Sequence, residues 1–259
     1  MIFLYPLITK VYRYVLDGNA LGSTATEAFH RRPPVVPDQP DSIVVSIGYP
    51  LVDAPYSPQR YVDFIPPTLD GSIPSEPGVA SGAKEFINFI DKTLRPFVQT
   101  TVFPNTKFTR DALYGHSGGG VFVLYVLLTR PELFDTFLAS SPFLAWNDRY
   151  LLNHTLDYAN LRPPPSQHKN ITKPAFALSY SSLEQFPVKR RTETQERYQY
   201  RLDLFTSFRM TDNCKAFFEL VQQNGSWVRD QLLREYVGSD HAALGGAALA
   251  DGIDYFTDW

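Results

Sequence analysis

The hydrophobic positions along this chain follow two alternating rhythms. Short runs read as strands: Val11-Tyr-Arg-Tyr-Val-Leu, rich in β-branched and aromatic residues, then Ser42-Ile-Val-Val-Ser-Ile, Thr136-Phe-Leu-Ala-Ser-Ser and Ala175-Phe-Ala-Leu-Ser-Tyr. Ala112-Leu-Tyr is the end of another short strand, and residues 227–237 are the last. Between these runs apolar residues recur at helical spacing. Ala83, Phe86, Ile87, Ile90, Leu94 and Phe97 share one face of a helix expected over about 80–98. Further helices are expected over 20–32, stopped by Pro33 and Pro34, over 189–209 as an exposed charged helix, over 212–223 and over 244–256. Residues 121–128 are apolar all round, which suits a helix buried against a sheet. Two stretches break the rhythm. Residues 52–77 form a proline-rich loop, long enough to be expected at a site, and 150–173 read as an irregular or short-helix excursion. Strands alternating with helices indicate an α/β protein, a mostly parallel sheet of about six strands with helices on both faces. No repeat or linker divides the chain, so residues 1–259 are expected to form a single domain.

Composition narrows the function classes. A hydrophobic fraction of 44% is that of a globular protein, and a net charge of -3 with no basic stripe gives no sign of a nucleic-acid partner. The short basic cluster Lys189-Arg-Arg is followed by Glu193 and Glu196 and reads as a solvated face. Cys214 is the single cysteine, which leaves no intrachain disulfide and no cysteine-based metal site and favours a reducing compartment. The apolar N-terminal run lacks a basic flank and ends at Lys10, too soon for a signal peptide. No stretch approaches the roughly 20 apolar residues of a membrane span. A cytoplasmic location is therefore expected, and the Asn153, Asn170 and Asn224 sequons are read as chance.

The chemistry gathers at Gly115-His-Ser-Gly-Gly, one match to G-x-S-x-G with an expected strand before it and an expected helix after it. A strand entering a helix through a serine flanked by glycines is a nucleophile elbow, in which a strained serine sits at a helix N-terminus. Sites in parallel sheets lie at the carboxyl ends of strands. Reading those ends in order collects Asn19, Tyr49, Ser117, Trp146, Glu184 and His241. A serine needs a base to become a nucleophile, and His241, in the loop after the last strand, is the leading one. His116 adjoins the serine but is expected to point elsewhere, while His30, His154 and His168 lie in a helix and polar loops. Glu184 is the leading acid to orient the imidazole; Asp212 has an N-cap role to explain it, Asp240 adjoins His241 too closely, and a Ser-His dyad stays open. Two backbone N–H groups should meet the oxyanion: Gly118, after the nucleophile, and Asn19, after the first strand.

These residues resemble a known family. Leu16-Asp-Gly-Asn-Ala-Leu, Ser46-Ile-Gly-Tyr-Pro with Arg60, Asp63 and Pro66-Pro67, Tyr114-Gly-His-Ser-Gly-Gly-Gly, and Gly238-Ser-Asp-His recur in order. Together they resemble the esterase D-like branch of the α/β hydrolases, nearest to siderophore esterases of the enterobactin and fusarinine types. The resemblance implies an α/β-hydrolase fold and a serine ester hydrolase, with Ser117 as nucleophile, His241 as base and Asn19 and Gly118 as oxyanion donors. Tyr49, Arg60 and Trp146 would line the acyl or siderophore pocket. It implies a small-molecule ester substrate, such as a ferric siderophore, no membrane partner, and no metal or organic cofactor, iron arriving only with the substrate. A small acyl esterase, an S-formylglutathione-type thioesterase and a non-catalytic binding protein of the same fold are the alternatives. Relatives carry antiparallel strands before the first strand, and here about ten residues precede it, so either that edge of the sheet is reduced or the chain is a shortened one.

Overall fold

The computed structural model describes residues 8–37, 39–50, 53–75, 78–162 and 173–257. The N-terminal residues 1–7, His168 and the Asn170 sequon lie outside them. Among the described residues six parallel strands form one sheet in the order β2-β1-β3-β4-β5-β6: β1 (Ile8–Val15), β2 (Ser42–Ser46), β3 (Thr106–His116), β4 (Thr136–Ser140), β5 (Ala175–Ser181) and β6 (Asp230–Tyr236). This is the arrangement of an α/β hydrolase, and β2 is the outermost of the described strands on one side.

Alternation along the strands creates two cores. Val11 and Val15 of β1 pack with Leu21, Ala25 and Ala28 of α1 (Gly18–His30) and with Leu249, Ile253 and Phe256 of α10 (His241–Thr257). Tyr14 and Leu16 point the other way, into the core shared with α5 (Gly118–Thr129). Helix α5 buries every residue from Gly119 to Thr129, which is why its sequence is apolar all round. Phe122 meets Phe64 and Phe86 at 5.8 and 5.2 Å between ring centres, sealing the helix on its outer side.

Several expected bounds shift for physical reasons. The third strand is not short but runs from Thr106, its first half alternating between half-buried and exposed positions. The proline-rich loop contains one helical turn, α2 (Arg60–Asp63). The next helix starts as α3 (Ala83–Phe89) and continues to Val102 through a wide π turn at Ile90–Leu94, the short α4 (Arg95–Phe97) and a second π turn at Val98–Val102. Pro96 has no N–H to return to the preceding turn, so wider turns flank it. The excursion after β4 holds α6 (Trp146–Asn153) and α7 (Thr155–Ala159). The charged helix starts late, as α8 (Gln195–Phe208), because Thr194 caps it by accepting a hydrogen bond from the Arg197 N–H. Helix α9 (Met210–Asn224) follows directly through Arg209 at φ 50°. Among the described residues no helix is long and apolar enough to cross a membrane.

The strand order sets the place of the site. From β1 the chain turns outward to β2, then crosses back past β1 to β3 and proceeds the other way. The carboxyl ends of β1 and β3 therefore flank a crevice at a topological switch point.

Candidate active site

At the end of β3 the backbone turns into α5 within one residue. Ser117 sits at φ 57° and ψ -117°, a region that costs a non-glycine residue on the order of 1–3 kcal/mol. Its N–H extends the sheet to Ser140 O at 3.0 Å, and its carbonyl accepts from the N–H groups of Val121 and Phe143. The turn is closed by the glycines: a methyl group on Gly115 would stand 2.3 Å from Gly119 O. As the first residue of α5, Gly118 has no intrahelical acceptor for its N–H.

His241 is the first residue of α10, beyond β6. Asp240 caps that helix, its Oδ1 accepting from the Ala243 N–H at 3.0 Å. The loops after β5 and β6 are stitched together: the Ser182 N–H donates to Tyr236 O, Leu183 N–H to Ser239 O, and Gly238 N–H to Ser182 Oγ. That seam brings Glu184 under His241. Glu184 Oε1 lies 2.7 Å from His241 Nδ1, and its Oε2 accepts from the Ser181 N–H at 3.0 Å. The Glu184 side chain is 1% exposed, while the histidine side chain is 40% exposed. Asp212 points elsewhere, accepting from Gln185 Nε2 and Arg209 Nε. Of the carboxylates weighed from sequence, Glu184 is the one that touches the ring.

Ser117, Gly118 and His241 open onto one cavity of about 480 Å³, walled by Phe64, Phe143, Trp146 and Phe208. The serine hydroxyl and the imidazole share this space with no direct hydrogen bond between them; such bonds often tighten only when substrate is held. Arg60 and Trp146 line the cavity as expected, and Trp146 precedes a left-handed turn of Asn147, Asp148 and Arg149. Tyr49 is not in the cavity wall. Its N–H donates to Asn19 Oδ1 at 2.7 Å, its carbonyl accepts from Asn19 Nδ2 at 2.9 Å, and its hydroxyl donates to Asp63 Oδ2 at 2.8 Å. Burial first, and then Asp63, push that phenol's pKa up. Asn19 is thus also outside the wall, its side chain spent on Tyr49. Its N–H, like that of Gly118, begins a helix and has no intrahelical acceptor.

Two features were not legible from sequence. His116 does not point away but lies beneath His241, with ring centres 4.5 Å apart and planes tilted 40°. It is 5% exposed, and burial, helped by the neighbouring His241, lowers its pKa to about 3. The nitrogen or oxygen atoms of His116, Glu184 and His241 lie within 4.8 Å of one another, the spacing of a metal site. Nδ1 of His241 already faces Glu184 at 2.7 Å, so the trio reads as a hydrogen-bonded acid–base pair packed on a second, tilted ring. The other feature is Asp17, whose carboxylate is paired with Arg60.

The profile of the family described as Putative esterase matches residues 58–207. A siderophore enterobactin esterase of Emericella nidulans is 38% identical over 252 residues, 95% of this chain and 81% of that protein. A siderophore triacetylfusarinine C esterase of Aspergillus fumigatus is 34% identical over 248 residues, again 95% of this chain and 81% of the relative. Among solved structures, the siderophore hydrolase EstA from Aspergillus nidulans aligns with a TM-score of 0.87 at 37% identity, over 96% of this chain and 83% of that one.

Proposed function

This chain belongs to the Putative esterase family, and from that premise we propose that it opens the ester bonds of a siderophore with Ser117, His241 and Glu184. It is an ester hydrolase. The observation that carries the residue roles is the buried Glu184 carboxylate on Nδ1 of His241, which leaves Nε2 to take a proton. Ser117 Oγ adds to the ester carbonyl as His241 accepts its proton, and the N–H groups of Asn19 and Gly118 hold the oxyanion. Collapse of the tetrahedral intermediate expels the alcohol, protonated by His241, and leaves an acyl-enzyme. Water, deprotonated by His241, then releases the acid. Glu184 stabilises the imidazolium in both halves.

Relatives of siderophore specificity at 34–38% identity support the substrate class, as does an aromatic-walled cavity large enough for a substantial acyl arm. In the cytoplasm, such hydrolysis would release iron from an imported complex. The test compares native protein with Ser117→Ala on p-nitrophenyl butyrate and on ferric enterobactin and ferric triacetylfusarinine C, followed by mass spectrometry. Loss of about 10³-fold or more in kcat on every ester is expected. Undiminished turnover by the variant ends the serine mechanism, and native activity on the nitrophenyl ester alone ends the siderophore assignment.

A further inference from the structure

Arg60 is expected from the sequence to bind substrate, but its guanidinium is already engaged. Nε and Nη2 donate to the two oxygens of Asp17 at 2.8 and 2.7 Å, a bidentate fork between side chains that are 8% and 2% exposed as residues. Tyr56, Tyr61 and Phe64 surround the cation, with ring centres 5.2 to 5.7 Å from Cζ. Asp17 itself holds a left-handed conformation, φ 53° and ψ 47°, and its carbonyl accepts from the Ala20 and Leu21 N–H groups. That conformation carries the chain from β1 into the Gly18-Asn19 turn.

The pair touches the start of α5 at Gly118, and its Asp17 lies two residues before Asn19 in the chain. A methyl group on Gly118 would lie 3.3 Å from Arg60 Nη1, and one on Gly119 would lie 3.4 Å from Asp17 Oδ2. The ion pair therefore packs against the start of α5 while anchoring the turn that carries Asn19. On its far side the same turn is held by the Gly18 N–H on Ile47 O at 2.8 Å and by the reciprocal Asn19–Tyr49 bonds. Neither donor is fixed by a hydrogen bond of its own N–H, so its aim depends on these flanking contacts.

We propose that Asp17 and Arg60 are positioning residues, a buried clamp that sets the Asn19 and Gly118 N–H groups at the spacing one oxyanion requires. The inference rests on the assignment of those two donors made above. Its effect is confined to the transition state, because the ester carbonyl of bound substrate needs the converging donors less than the tetrahedral oxyanion does.

The test uses Asp17→Asn, Arg60→Lys and the double variant Asp17→Asn/Arg60→Gln, assayed well below their melting temperatures. The double variant leaves no unpaired buried charge, so it folds even if a single variant does not. The clamp predicts a fall in kcat of about 10- to 100-fold with KM for a neutral ester unchanged. A boronic acid that mimics the tetrahedral intermediate loses affinity by the same factor. The double variant is no worse than Asp17→Asn, because the pair acts as a unit. If a folded variant keeps kcat within twofold, the proposal is overturned. A lower KM for anionic esters in Asp17→Asn at unchanged kcat also overturns it, since that marks Arg60 as a substrate-binding group freed from its partner. Failure of all three variants to fold overturns it in favour of a purely architectural pair. Ser117→Ala run alongside separates the two levels: if that variant is inactive while the clamp variants keep full kcat, only this inference falls.

Discussion

The buried imidazole of His116 predicts a specific acid sensitivity. Its pKa is lowered to about 3 in the folded chain, chiefly by burial, then by His241, with Arg60 adding to the effect. In the unfolded chain the ordinary value is about 6.5. Because the folded value is the lower one, the unfolded chain takes up the proton first as pH falls. The full contribution is present above pH 6.5 and is lost progressively toward pH 3. By pH 5 the linkage amounts to about 2 kcal/mol. At 5% exposure the ring has little solvent to screen it. That loss is a sizeable part of the roughly 5–15 kcal/mol by which domains are stable. The assay is urea unfolding of native protein and His116→Gln at pH 7.5 and pH 5.0. Native protein should lose about 2 kcal/mol more than the variant over that interval. Equal losses in the two proteins would show that His116 titrates normally in the folded state and refute the argument.

Other consequences follow from the same geometry. Glu184→Gln keeps the acceptor for the Ser181 N–H but removes the charge beside His241, and should lower kcat by about 10³- to 10⁴-fold with little change in KM, measured on p-nitrophenyl butyrate. Gly115→Ala places a methyl group 2.3 Å from the backbone oxygen of Gly119, where nothing flexible can yield. It should cost about 3 kcal/mol, seen as a drop in Tm of about 6–12 °C.

Much of the fold was readable because periodicity reports burial directly. The all-apolar helix after Ser117, the β-branched runs at Val11 and Ser42 and the apolar run at Ala175 leave few alternatives for a chain of this length. The elbow was readable because steric closure leaves only glycine at position 115. What escaped the sequence reading depends on tertiary contact. Nothing in Gly115-His116-Ser117 says that α10 will pass close enough to place its first residue over the His116 ring. Asp17 and Arg60 are separated by the whole of α1, β2 and the first part of the proline-rich loop, and no local pattern pairs them. Tyr49 was placed at a strand end correctly, but its side chain turns to Asp63 and not into the cavity. The late start of α8 was hidden because the charged run before Thr194 has good helical propensity, whereas the cap at Thr194 decides where the helix begins.

The most direct test of the central claim is to treat the native protein with a fluorophosphonate probe and map the adduct by peptide mass spectrometry. The account predicts one adduct, on Ser117, formed far more slowly in His241→Ala. A native protein that turns over esters while Ser117 stays unlabelled would contradict it.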